Sequence, residues 1–295
     1  MYSYTDKPPY LEDDPSTSED ESEQPTIKAR DDVALYFAPV TMNNAYPFND
    51  SVNNQSYYRA LQKWKKVTKE MDIFNYTHCC FSTLQPYNYW NSIRGNIESM
   101  LDLGLQFWFD ERESSTKSNL TVMGDYVISK MLWDTDSDIN ELIDDFMLAY
   151  YGPEAAPYIR EYFDTMQVHF LAASNNGGRE FSWVAQESGS AMYKEYFPFN
   201  FVNYCYQVFE DAYSANEKLK GVDPNYEDYA YRIRVEQIVP EYLYIYLYLD
   251  QFDYANASAL IDKFEKYAVP TTKTVGWLTD QGNINNFIDS ARSKI

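Results

Sequence analysis

The stretch IESMLDLGLQFWFDERE, residues 97–113, decides how the chain is read. An amphipathic run ends at Gly104, a residue that commonly stops helices by taking up the left-handed conformation. A short apolar run follows, Leu105 to Phe109, interrupted only by Gln106. The acids Asp110, Glu111 and Glu113 come next. Helix, glycine, buried strand and then carboxylates at the strand's C-terminal end is the order in which a parallel α/β barrel presents polar groups.

Working outward, the same rhythm repeats. MYSYT at residues 1–5 reads as a first strand and VALYFAPV at residues 33–40 as a buried second strand closed by proline. MDIFNYTHCCF, from Met71, reads as a third strand with its exit loop, and LQFWF as the fourth. Between the second and third lies YYRALQKWKKVTKE, residues 57–70, whose Tyr58, Leu61 and Val67 fall on one helical face. Between the third and fourth lie a long loop and a helix over residues 91–103. Four βα units amount to half of an eight-stranded barrel, and a half-barrel leaves two raw edges. The sequence therefore predicts an α/β fold over residues 1–123, the last four strands of a (β/α)8 TIM-type barrel, with the missing half upstream of Met1. From residue 124 to 295 the pattern is helical: residues 124–133, a helix capped by Ser137 or Asp138 and stopped by Gly152, one opened by Pro153, then 198–219, 226–252 (kinked at Pro240), 255–267 and 282–295.

Composition narrows the function classes. The net charge is -21. Residues 12–23, EDDPSTSEDESE, contribute heavily to it. Segment 12–27 has too few apolar residues to pack and reads as a disordered acidic insertion. With no basic block, the chain repels phosphate backbones and anionic bilayers, so neither nucleic acid nor membrane is a predicted partner. The longest apolar run, Tyr242 to Leu249, is too short to span a bilayer. Three cysteines give no disulfide framework. His78, Cys79 and Cys80 are adjacent and cannot easily converge on one zinc ion, so no metal and no cofactor are predicted. Tyrosine outnumbers phenylalanine, 29 to 17, which supplies flat apolar faces with polar tips suited to stacking on sugars.

Several pieces resemble the bacterial family long labelled domain of unknown function 4838, members of which are placed in glycoside hydrolase family 163. The pieces are YSYTDKPP, the run from Lys28 to Val33, APVTMNNAYP, the run from Phe74 to Glu111, YRIRVEQI at residues 231–238, and above all KMLWDTDSDINELIDDFMLAYYGPEAAPYIREYFD. The resemblance implies the C-terminal portion of an α-glucuronidase-like barrel followed by a helical region. It implies a glycoside hydrolase-like, carbohydrate-active protein, with characterised relatives that are endo-β-N-acetylglucosaminidases acting on N-glycans. The chain departs from the family in three ways. Tyr46 stands where histidine is usual, Asp110 and Glu111 stand where glutamate then glutamine are usual, and the acidic insertion is extra.

In related barrels the acid/base dyad lies on an earlier strand, so the catalytic residues are expected upstream of Met1. The chain would then be a fragment that hydrolyses O-glycosyl bonds only if an N-terminal barrel half of the same parent protein completes it. The alternative is a non-catalytic carbohydrate-binding or structural remnant. The predicted partner is an oligosaccharide or glycan, and the parent is expected to be secreted or cell-surface.

Glycoside hydrolysis needs carboxylates, and sugars are bound through carboxylates and aromatic rings. The predicted substrate-binding residues are Asp110 and Glu111 at the end of the fourth strand, Tyr76 and His78 leaving the third, Asn43 and Tyr46 leaving the second, Tyr4 at the end of the first, and Trp90 in the loop before the last. Neighbours in a strand point to opposite sides, so only one of Asp110 and Glu111 can face the barrel mouth. Asp110 follows the apolar run directly and is the favoured ligand to sugar hydroxyls.

Overall fold

A computed structural model describes residues 2–3, 28–77, 83–105, 107–112, 115–177, 194–275 and 282–295. Residues 2–3 and 173–177 are described by backbone alone. Tyr4, the acidic segment 12–27, His78, Cys79, Cys80 and Glu113 lie outside the described residues. The chain forms two compact units: residues 1–78, 87–112 and 178–185 make the first, and residues 79–86, 113–177 and 186–295 the second.

The first unit is α/β. Strands β1 (Tyr2–Ser3), β2 (Ala34–Phe37), β3 (Glu70–Tyr76) and β4 (Trp108–Glu111) form one sheet in the order β1-β2-β3-β4. Every pairing is parallel. Helix α1 (Gln55–Val67) crosses from β2 to β3, and helix α2 (Ile93–Asp102) from β3 to β4. Side chains alternate between the faces of a strand, and burial follows that alternation. Leu35, Phe37, Met71 and Ile73 share one face and pack with Ala60 and Leu61 of α1 and Met100 of α2 in the core. Tyr36 and Phe74 take the other face, where Phe74 meets Phe109 at 4.4 Å and Tyr36 meets Phe107 edge-on at 5.9 Å. Phe107 and Phe109 remain 48% and 41% exposed.

The fourth strand is displaced from its predicted position. The run Leu105–Phe109 reads as a buried strand, but the strand begins at Trp108 and takes in Asp110 and Glu111. The cause lies in the end of α2. Gly104 sits at φ +65°, its N–H donates to Leu101 C=O at 2.9 Å, and the Leu105 N–H reaches back to Met100 C=O at 2.9 Å. That pair of bonds is a Schellman closure, and it usually brings a hydrophobic residue just beyond the glycine against the helix. Leu105 is that residue, 5% exposed and packed in the core. Its apolar character belongs to the helix cap.

The second unit is helical. Its helices are α3 (Thr121–Trp133), α4 (Ile139–Tyr151), α5 (Ala156–Gly177), α6 (Phe199–Asn216), α7 (Tyr226–Tyr248), α8 (Tyr254–Thr271) and α9 (Ile284–Arg292). Asp138 caps α4 by accepting from the N–H groups of Asn140 and Glu141 at 2.7 and 3.3 Å. Pro153 does not open α5, which begins at Ala156; residues 153–155 form the turn that follows Gly152. Pro240 lies inside α7, which continues to Tyr248. Tyr242, Tyr244 and Tyr248 are buried. Among the described residues no helix is long and apolar enough to cross a membrane.

Gly152 is a position where backbone and neighbour both demand glycine. It adopts φ 83° and ψ 162°, and a Cβ there would lie 2.6 Å from the Tyr229 ring. At Gly221 (φ 74°) the space is open, so only backbone strain applies. Replacing Gly152 with alanine should cost about 2 to 4 kcal/mol from strain plus overlap, against about 1 kcal/mol for Gly221→Ala. Urea unfolding of the two variants measures the difference, and equal losses would show that the Tyr229 ring yields.

Candidate functional site

The C-terminal ends of β2, β3 and β4 lie at one end of the sheet because the strands are parallel. β3 and β4 pair with Asn75 opposite Asp110 and Tyr76 opposite Glu111. This register fixes the surroundings of both acids.

Asp110 projects on the helix-covered side, the side of Ile73 and Asn75. Its carboxylate accepts from Asn75 Nδ2 at 3.1 Å, Thr77 Oγ1 at 3.0 Å and Arg112 Nη1 at 3.4 Å. Arg112 also donates to Thr77 Oγ1 at 3.1 Å and to the Tyr89 hydroxyl at 3.3 Å, with its guanidinium 5.3 Å from the Tyr89 ring centre. Tyr89 in turn stacks on Trp90 at 4.7 Å. The Asp110 and Arg112 side chains are only 9% and 13% exposed. Burial raises the Asp110 carboxyl above its ordinary value, although Arg112, Thr77 and Asn75 all pull the other way.

Glu111 projects on the opposite side, in line with Tyr76 and on the face that carries Phe74 and Phe109. Tyr76 is 3% exposed, and its ring lies 5.2 Å from that of Phe74. The Glu111 C=O accepts from the Thr77 N–H at 3.2 Å, which extends the ladder one residue past the end of β3.

The loop after β2 is tied down by its own asparagines. Asn54, fully buried, donates from Nδ2 to the carbonyls of Asn43, Tyr46 and Pro47, and its Oδ1 accepts from the Asn43 N–H. The Asn43 Oδ1 accepts from the Ala45 N–H at 3.1 Å, a local turn bond of the kind asparagine often makes. Asn44 Nδ2 donates to the Tyr87 hydroxyl at 2.6 Å and so links this loop to the one bearing Tyr89 and Trp90. Asn88, in that second loop, is completely buried, and among the described residues neither its amide oxygen nor its amide nitrogen has a hydrogen-bond partner.

Of the predicted residues, the structure gathers Asp110 and Trp90 around Arg112 and Tyr89. It aligns Glu111 with Tyr76 on the other face, and holds Asn43 and Tyr46 in the braced loop after β2. Tyr4 and His78 lie outside the described residues. Asn75, Thr77, Arg112, Tyr89 and Asn54 were not singled out by the sequence. Arg112 and Asp110 do share a signal, since residues two apart in extended chain fall on the same side, and these two carry opposite charges. Among the described residues no group of three His, Cys, Asp or Glu side chains could hold a metal ion.

The model of a family described as Domain of unknown function (DUF4838) matches residues 20–164. This stretch takes in β2 to β4 and every strand-end residue described above. Among solved structures, a GH138 enzyme targeting pectin rhamnogalacturonan II aligns at 10% identity with a TM-score of 0.42, over 88% of this chain and 41% of that one. The chain thus spans well under half of that enzyme's length. No curated protein matches the chain.

Arg112 is the hub of the buried cluster. Removing it strands a carboxyl that already titrates high and leaves the Tyr89 hydroxyl without its cationic donor. Arg112→Ala should destabilise the protein by roughly 2 to 3 kcal/mol. Chemical denaturation reads the loss, and a change below 0.5 kcal/mol, the size of ordinary surface substitutions, would mean that the cluster is incidental.

Proposed function

We propose that the chain is the glycan-binding part of a glycoside hydrolase-like protein, and that its parallel sheet is part of a (β/α)8 barrel followed by the helical region. One observation carries this reading. Both helices of the α/β unit pack on one face of the sheet, while the other face bears Tyr36, Phe74, Phe107 and Phe109 with two rings more than 40% exposed. Parallel sheets are ordinarily covered on both faces. A barrel interior is such a cover, and a further βα half from the same parent protein would supply it.

Glu111 lies on this face, at the strand end, beside Tyr76. A carboxylate next to aromatic rings can accept hydroxyl protons while the rings stack on the C–H face of a sugar. Glu111 is therefore the proposed ligand to the glycan. Asp110, engaged by Asn75, Thr77 and Arg112, is proposed to position the strand end, and Arg112, Tyr89 and Trp90 to carry that order into the neighbouring loop. Asn43 and Tyr46 are proposed to line the same end. The buried amide of Asn88 adds hydrogen-bonding capacity that no described residue takes up. The substrate class favoured by the family resemblance is an N-acetylglucosamine-containing glycan.

Hydrolysis needs two groups flanking the scissile bond. Of the two adjacent acids, Asp110 lies on the helix-covered side and Glu111 on the aromatic face. This favours glycan binding by the chain itself, with hydrolysis requiring carboxylates from the remaining barrel strands. The second reading, a non-catalytic binding or structural remnant, rests on the same observation.

Titration calorimetry with chitooligosaccharides and N-glycan core oligosaccharides tests the proposal. Glu111→Gln should weaken binding by about tenfold, which corresponds to about 1.4 kcal/mol, with stability unchanged. Asp110→Asn should change affinity less than it changes stability. No binding by the wild-type chain would refute the glycan reading, and binding indifferent to Glu111→Gln would move the site elsewhere.

A further inference from the structure

The run YRIRVEQI contains a feature unrelated to sugar binding. Glu236 projects from the middle of α7 and is 2% exposed. Its Oε1 accepts from the Leu120 N–H at 2.7 Å, and the carboxylate also accepts from the Asn119 N–H. Its Oε2 accepts from the Tyr151 hydroxyl at 3.3 Å. Asn119 and Leu120 are the two non-glycine residues with positive φ among the described residues, at 59° and 56°. Two consecutive left-handed residues of this kind are costly. They turn the chain into α3, whose first turn places its N–H groups close by.

The turn is a crossroads of the helical unit. Asn119 Nδ2 donates to the carbonyls of Thr83 and Gln85. Thr116 bridges to Thr272, the Lys117 N–H donates to Thr271 C=O, and the Lys273 N–H donates to Ser115 C=O. Residues 115–120 therefore join the loop at Thr83–Gln85 and the stretch 271–273, and Glu236 holds the strained pair itself.

We propose that Glu236 is a proton-dependent anchor of the Asn119–Leu120 turn: the turn is held most firmly when the carboxyl is protonated and opens more readily when it is ionised. The geometry supplies the reason. Tyr151 and Tyr150 face the carboxyl from α4, and Tyr162 faces it from α5; none of these carries positive charge. On its own helix, Arg232 is turned toward the Tyr150 ring and donates to the Tyr150 C=O at 3.0 Å. The next acid on α7, Glu241, faces Lys263 at 3.2 Å. Among the described residues no cation is bonded to Glu236, so its charge is met only by backbone N–H groups and one phenol. Burial accordingly pushes the carboxyl up to about 7 from 4.5, against the bonds from Leu120, Tyr151 and Asn119.

The direction with pH follows. A carboxyl whose value is higher in the closed turn than in the open one stabilises the closed form fully below about pH 4.5. That stabilisation is lost as pH rises toward 7, and the loss levels off above it. Hydrogen exchange of the full chain, corrected for intrinsic rates, should show the Leu120 and Gly124 amides losing protection by up to about tenfold per pH unit between roughly pH 5 and 7. Glu236→Gln should flatten that slope, while Glu241→Gln should leave it in place. A wild-type slope in Glu236→Gln, or its loss in Glu241→Gln, would overturn the proposal. If Glu236→Gln does not fold, the carbon-13 titration of the Glu236 carboxyl in the native chain decides. A midpoint near 7 supports the anchor, and one near 4.5 refutes it.

Discussion

The register between β3 and β4 is the constraint on which the strand-end chemistry depends. With Asn75 beside Asp110 and Tyr76 beside Glu111, two adjacent carboxylates receive opposite environments. One is enclosed by Asn75, Thr77 and Arg112; the other stands with the aromatic face. A slip of one residue would exchange them and would also carry β4's side chains to the wrong faces. What resists a slip is burial more than hydrogen bonding. Met71 and Ile73 are nearly inaccessible, and each such side chain is worth about 1.5 to 3 kcal/mol, against about 1 kcal/mol for a typical hydrogen bond. The hydrophobic face sets the register, and the register sorts the acids.

The loops then have to hold their shape without regular structure, and this chain uses asparagine for that. Asn54 satisfies three carbonyls of the loop after β2 with one amide nitrogen. Asn96 Oδ1 accepts from the Phe48 N–H at 2.7 Å, which ties the same loop to α2. Close approach helps as well, since a Cβ on Gly95 would lie 2.6 Å from the Pro47 ring. Buried backbone groups need partners. In a loop these come from side chains, so the Asn-rich segment that reads in sequence as a ligand-binding loop is in large part its own scaffold.

The alternation of strands and helices was legible from residue 28 to 112 because hydrophobic periodicity is a local property. Both the Asp138 cap and the Gly152 stop could be read for the same reason. Leu105 was misleading because an apolar residue after a glycine can continue into a strand or close a helix, and only the bond from its N–H to Met100 distinguishes the two. The network of Asp110 with Thr77 and Tyr89 was not legible. Its members are brought together by sheet register and loop closure over 33 residues in one case and by Arg112 in the other. The roles of the two adjacent acids could be separated in principle but not assigned, since alternation shows that they differ without showing which face is open.

Helix α7 shows the same limit in a different form. Of its 23 residues, 17 are buried, and beyond its first turns the acids Glu236 and Glu241 must be managed inside the protein. Glu210 on α6 is pushed up by burial, yet bonds from Arg234, Lys263 and Gln237 hold it at about 2. Lys263 donates to Glu210 at 2.5 Å and to the Tyr206 hydroxyl at 2.7 Å, and pairs with Glu241 at 3.2 Å. Glu241 thus faces an ammonium already hydrogen-bonded elsewhere, and burial lifts it to about 7 in spite of Lys263 and Arg234. Glu236, one and a half turns earlier, is bonded to no cation among the described residues, and burial lifts it to the same value against its bonds from Leu120, Asn119 and Tyr151. Two acids on one buried helix therefore arrive at near-neutral titration by different routes. The first depends on the strained turn before α3, and the second on how α6 and α8 share a single lysine.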